Sequence, residues 1–141
     1  MFDFHMHSHV SFDGHDTGLN MAKAAAAAGL DSLEHGAYLD KDALQAMADT
    51  GTVWVPTLSA VGNLRGKGRF NEDSVQKILD SALENLREFS AMGGLIAPGS
   101  DAGAWAVPHG CMTEENLLKL ALEENTEAIL EAGTRKIKEK F

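Results

Sequence analysis

Six histidines occur in 141 residues, and four of them, His5, His7, His9 and His15, fall between positions 5 and 15. His5 and His7 are two apart in Phe-Asp-Phe-His-Met-His-Ser-His (2–9). That stretch reads as a short strand, so both imidazoles leave the same face and can share one ion. His9 continues that face. Two imidazoles so placed make half of a tetrahedral zinc set. His35 closes another short run in Leu-Glu-His-Gly, and Asp101 closes a later one in Gly-Ser-Asp-Ala-Gly. Nitrogen and oxygen donors of this kind suit Zn²⁺, with Mn²⁺ or Fe²⁺ as related divalent ions. Water held by such an ion has its pKa lowered to about 7 and becomes a nucleophile. A carboxylate beside it, most simply Asp101, takes up the water's proton.

The blander readings weigh against single residues more than against the set. A solitary loop histidine such as His15 or His109 is more often a surface residue than a ligand, and an aspartate between glycines is also a turn residue. Cys111, the only cysteine, excludes an internal disulfide framework and a multi-cysteine zinc module.

The donors need a scaffold that brings distant positions to one edge. The chain supplies alternating strand and helix patterns. Strands are predicted over 2–9, 30–34, 52–58 and 94–100. Helices are predicted over the Ala-rich 17–28, over 40–50 capped by Asp40, and over 72–92 capped by Asn71. Two more cover 114–122, capped by Thr113, and 126–140, broken at Gly133. The 72–92 segment carries Val75, Ile78, Leu79, Ala82, Leu83, Leu86 and Phe89 at helical spacing. Residues 59–70 read as a Gly-rich loop with Arg65, Lys67 and Arg69, and 102–112 as a second loop. Four β–α units in this order imply an α/β fold with a parallel sheet, in effect about half of a (β/α)8 barrel, which needs about 250 residues. All strand C-termini of such a sheet lie at one rim, where His35 and Asp101 would meet the His5/His7 pair.

Composition bounds the partners. The chain is 44% hydrophobic and 23% charged with a net charge of −9. It can bury a core, and its bulk charge suits neither nucleic acid nor an anionic membrane surface. Residues 134–141 carry a net +3 and read as a solvated helix end. No apolar run approaches a membrane span and no signal peptide is visible, so a cytoplasmic setting and a small-molecule substrate are expected.

Several ordered stretches resemble the C-terminal part of the amidohydrolase superfamily, in its imidazolonepropionase-like or Xaa-Pro dipeptidase-like branch. They are Ala-Gly-Leu-Asp-Ser-Leu-Glu-His-Gly (28–36), 39–48, Val-Pro-Thr-Leu (55–58), Pro-Gly-Ser-Asp-Ala-Gly (98–103) and His-Gly (109–110). The resemblance implies that His35 is the metal-binding histidine of the sixth barrel strand. It implies that Asp101 is the metal-binding, proton-relaying aspartate of the eighth, and that His109 lies near substrate. Residues 1–33 are instead similar to the opening of PHP-type phosphoesterases of the histidinol-phosphatase group, through Asp3, His5, His7 and Asp13-Gly14. A single incomplete barrel domain is therefore expected, with a PHP-like first unit (1–33), an amidohydrolase-like half-barrel (34–133) and a basic tail (134–141), whether as a truncated or a composite chain.

The reading that follows is a metal-dependent hydrolase cleaving a C–N bond of a cyclic amide or small peptide. His5, His7, His35 and Asp101 are the ligands, Asp101 is the base, and His109 is a substrate contact. Phosphomonoester hydrolysis is the first alternative, with Arg65, Lys67 and Arg69 as the available cations. An inactive half-barrel that only folds, binds metal or assembles is the second. Two copies could complete the barrel as a homodimer. The choice among His5, His7, His9 and His15 stays open, with His5 and His7 favoured.

Overall fold

In the computed structural model, residues 28–139 are described, together with Asn20 and Ala24. The predicted first strand, and with it His5, His7, His9 and His15, lies outside the described residues.

Two short strands, β1 (Ser32–Glu34) and β2 (Val53–Val55), pair in parallel with Leu33 opposite Trp54. The predicted strand over 94–100 contracts to a single parallel bridge between Ile96 and Trp54. The Trp54 N–H donates to the Leu95 carbonyl at 2.8 Å, and the Ala97 N–H donates to the Trp54 carbonyl at 3.0 Å. Pro98 has no N–H to continue that ladder, and Pro56 likewise stops β2. The three segments thus lie side by side in chain order, as successive β–α units require. The barrel itself is not seen among the described residues.

The helices follow from their caps and stripes. In α1 (Lys41–Thr50), Asp40 Oδ1 accepts from the Ala43 N–H at 2.9 Å, and Gly51 ends the helix in the left-handed region. A short helix, α2 (Leu58–Gly62), replaces the start of the loop expected over 59–70. In α3 (Glu72–Ala91), Asn71 caps as expected, and the striped residues are buried except Ile78, which is half-buried. The helix α4 (Thr113–Leu122) begins at Thr113 rather than after it. Thr113 caps nothing, because its hydroxyl donates to Asn63 Oδ1 at 2.7 Å. A 3₁₀ turn, Glu123–Asn125, leads into α5 (Thr126–Lys138).

Side-chain alternation along β2 divides the core. Trp54 is wholly buried with Leu44, Met47, Leu79, Leu86, Phe89 and Leu118 against α1, α3 and α4, and its ring meets Phe89 edge-on at 5.8 Å. Val53 and Val55 point the other way, with Ala97 and Ile137 of α5. Helices therefore cover both faces of the strands. In a barrel one of those faces would pack on other strands.

The expected break at Gly133 does not occur, since α5 runs through it. A Cβ there would stand 2.1 Å from the Ile96 carbonyl oxygen. Gly133 is the point at which α5 lies directly on the third segment's backbone.

Candidate functional site

The three parallel segments end at His35, Thr57 and the Ser100–Asp101 pair. At each end a non-glycine residue takes a positive φ: 63° at His35, 49° at Thr57 and 54° at Asp101. That conformation costs about 1–3 kcal/mol each and is rarest for a β-branched residue such as Thr57. Three such residues on one rim mark where the fold spends stability on side-chain direction.

His35 is held on three sides. Its N–H donates to the Val55 carbonyl at 3.0 Å. Its carbonyl, turned out of the ladder, accepts from the buried Trp54 indole at 2.6 Å. Its Nδ1 lies 2.5 Å from Thr57 Oγ1. The Thr57 hydroxyl has one proton, and that proton goes to the Pro56 carbonyl at 2.8 Å. With the proton so placed, Oγ1 accepts from His35, in the tautomer that carries the imidazole proton on Nδ1 and leaves the Nε2 lone pair free. His35 is exposed at the end of its strand. A metal-binding histidine needs this tautomer and this second-side hydrogen bond.

Having spent its side chain on His35, Thr57 offers no cap to α2. Glu114, from the first turn of α4, takes the cap's place: its Oε2 accepts from the Ser59 N–H at 2.7 Å. The Ser59 hydroxyl also lies 2.9 Å from that oxygen and 2.6 Å from the Ser100 carbonyl. Both oxygens are acceptors, so the Ser59 hydroxyl is a donor shared between the Ser100 carbonyl and the Glu114 carboxylate. Burial acts against these bonds. Glu114 is 5% exposed and its Oε1 has no partner, and this desolvation raises its pKa against the lowering by the Ser59 and Leu58 bonds.

The sign of the resulting pH dependence is fixed. With its pKa raised in the fold, Glu114 contributes stability that is complete below the ordinary carboxylate range and is lost as pH rises through the raised value. Glu114→Gln keeps an acceptor for the Ser59 N–H and cannot ionise. Urea midpoints at pH 5 and pH 8 should move in favour of the Gln variant as pH rises. A parent chain that gains on the variant at pH 8 contradicts the assignment.

Ser100 carries this anchorage to Asp101. A Cβ at Gly99 would lie 2.4 Å from Val55 Cγ1 and 4.0 Å from Thr57 Cγ2, so only glycine lets the third segment end beside Thr57. The Asp101 carbonyl accepts from the Ala104 N–H at 3.1 Å, and Gly103 and Val107 close the same loop with a 3.0 Å bond. Buried Val107 pins that loop. The Asp101 side chain is exposed at the rim. His109 is exposed, and the Cβ position at Gly103 lies 4.0 Å from its Nε2, so its ring returns to within two residues of Asp101.

The expected set is therefore represented by His35, Asp101 and His109, all on loops at the same strand ends. His35 and Asp101 stand on the outer segments with β2 between them. Adjacent strands are about 4.8 Å apart, which makes two strand spacings about 10 Å. Among the described residues no three His, Cys, Asp or Glu side chains are grouped closely enough to hold an ion. His35 and Asp101 fit half of a donor set and need partners from outside it. Thr57, Ser59 and Glu114 were not singled out from sequence. Their local signals were Thr57 within Val-Pro-Thr-Leu and an acidic first turn in α4, and neither reveals the contact across 55 residues between Ser59 and Glu114.

No protein-family model and no curated protein matches the chain. Solved structures do. A Xaa-Pro dipeptidase, crystallised with methionine in its active site, is similar over 84% of this chain at 30% identity, with a TM-score of 0.59. Ochratoxinase from A. niger is similar over 79% at 27% identity, with a TM-score of 0.61. The chain spans 30% of the first protein's length and 25% of the second's. Both neighbours are amidohydrolase-superfamily hydrolases. Neither likeness supports the PHP-type phosphoesterase resemblance of residues 1–33. Among the described residues no helix is long and apolar enough to cross a membrane.

Proposed function

We propose that this chain, similar in structure to two amidohydrolase-superfamily hydrolases, carries the C-terminal rim of a metal-dependent hydrolase acting on a C–N bond of a small peptide or cyclic amide. The single observation that carries this reading is the His35–Thr57 pair, where a strained threonine fixes the histidine with Nε2 bare. His35 and Asp101 would hold a divalent ion, most simply Zn²⁺, with His5 and His7 completing its set. Such an ion supplies a water acidic enough to attack an amide near neutral pH.

The chain's own groups do the rest. Thr57 and the Trp54 indole keep His35 in one tautomer and one direction. The Ser59–Ser100 bond keeps the third segment's end in place, so that Asp101 presents an oxygen that takes a proton from the attacking water and returns it to the leaving nitrogen. His109 contacts the substrate from the loop that closes on Asp101. A second copy completing the barrel would have to replace α5 on the Val53–Val55 face.

The test is turnover by the zinc-loaded chain of dipeptides and cyclic amides, set beside p-nitrophenyl phosphate. Amide cleavage without phosphate cleavage is expected. Phosphate cleavage alone favours the PHP-type alternative, and turnover of neither favours an inactive, folding-only module.

A further inference from the structure

The rim carries a second feature outside the proton-handling residues. Five large apolar side chains are exposed among the described residues. Four of them, Tyr38, Phe70, Trp105 and Met112, lie in loops that follow the strand ends, and only Leu120 lies elsewhere. Two of these rings are organised around a cation. The Arg69 guanidinium carbon stands 4.8 Å from the Trp105 ring centre and 5.3 Å from that of Phe70. The two rings meet edge-on at 6.1 Å. The residues come from different loops, Arg69 and Phe70 from the one before α3 and Trp105 from the one before α4.

The chain has 21 acidic residues against 12 basic ones, so an arginine would readily find a carboxylate. The ion pairs among the described residues are Lys41–Glu88 and Lys119–Glu115, and Arg69 takes part in neither. It makes no hydrogen bond to the described residues either. Stacking over rings uses none of its five N–H donors. The result is a positive fork, oriented by two half-exposed rings, with its donors unspent.

Its position relative to Asp101 follows from the loop. The Ala104 N–H to Asp101 carbonyl bond closes a turn. The Cα atoms across such a turn are less than about 7 Å apart, and one further residue adds at most about 3.8 Å. The Trp105 Cα is thus within about 11 Å of that of Asp101, the reach of a dipeptide-sized molecule.

We propose that Arg69, with Trp105 and Phe70 as walls, binds the free carboxylate of the substrate's leaving amino acid. The rings contact its apolar side chain. This rests on the C–N hydrolase reading and narrows it: the substrate is an N-acyl amino acid or dipeptide with an unblocked C-terminus rather than a neutral cyclic amide. The planar fork matches a carboxylate through two parallel bonds.

Binding tests this without relying on turnover. Trp54 is wholly buried and Trp105 is 49% exposed, so a ligand on the rings changes the emission of Trp105. The chain is titrated with N-acetylleucine, with N-acetylleucinamide and with inorganic phosphate. A saturable change with the acid, and none with the amide or phosphate, is expected. Arg69→Gln should weaken binding of the acid by about tenfold or more, with Arg69→Lys between the two. Trp105→Phe should remove the signal, and Trp54 emission reports that each variant is folded. Equal response to acid and amide, tighter binding of phosphate, no response, or undiminished binding by Arg69→Gln each overturns the proposal. Carboxylate binding without amide turnover would retain this site and remove the hydrolase reading. Turnover indifferent to the C-terminal carboxylate would do the reverse.

Discussion

Asp101→Asn is expected to lower the proposed amide hydrolysis by about 10²–10⁴-fold, the range for loss of a positioned acid–base group, and to leave the thermal midpoint close to that of the parent chain. Both halves of this expectation come from the local structure. Asp101 holds a φ of 54°, a conformation that asparagine tolerates as well as aspartate does. Its side chain is exposed, so the amide leaves no buried group unpaired. The turn around it is tied by its carbonyl, which the substitution does not touch. What disappears is the capacity to take a proton and to offer a charged oxygen to a cation. Steady-state turnover with thermal melting of the same samples checks both halves. An Asn variant as active as the parent removes Asp101 from the chemistry. A variant that melts far lower would make it a folding residue.

Gly133→Ala carries the largest expected loss of stability. In an exposed helix the change is worth about 1 kcal/mol in the protein's favour. Here the added methyl would stand 2.1 Å from the Ile96 oxygen and 2.5 Å from its carbonyl carbon, well inside the separation of about 3.5–4.0 Å at which atoms attract. Backbone cannot rotate away as a long side chain can. α5 must lift off the third segment and loosen Ile137 from Val53, Val55 and Ala97. Overpacking of this kind costs about 1–3 kcal/mol. Urea unfolding gives the sign directly. A destabilised Ala variant is expected, and a stabilised one would mean that α5 does not lie on the strands.

These two positions show how differently sequence conveys structure. The α3 stripe from Val75 to Phe89 is a local pattern at helical period, and it packs where that period puts it. Asn71 and Asp40 cap through atoms three residues away, so the capping rule finds both. Thr113 has the same chemistry, yet Asn63 captures its hydroxyl from 50 residues away. Gly133 looks like a helix breaker because its actual constraint, the Ile96 backbone, belongs to another element. The strand over 94–100 shrinks to one bridge because Pro98 denies the ladder a donor, a rule that single-segment hydrophobicity overlooks.

The candidate site divides along the same line. His35 and Asp101 were legible because their residue types and flanking glycines announce strand ends. The groups that orient them were not, since the Thr57 proton, the Ser59 relay and the buried Glu114 acquire meaning only when three segments meet. Arg65, Lys67 and Arg69 read alike as a basic loop, and the fold separates Arg69 from the others by placing it against Trp105.

His35, fixed by Thr57 with Nε2 free, is proposed here as a ligand of a catalytic divalent ion. The most direct measurement strips the purified chain with chelator, restores zinc, and determines zinc per chain and dipeptide turnover in one preparation, for the parent and for His35→Ala. About one bound ion per chain with turnover in the parent, and loss of both in a variant that still melts cooperatively, is the predicted result. Turnover that survives chelation, or zinc and turnover retained without His35, would contradict it.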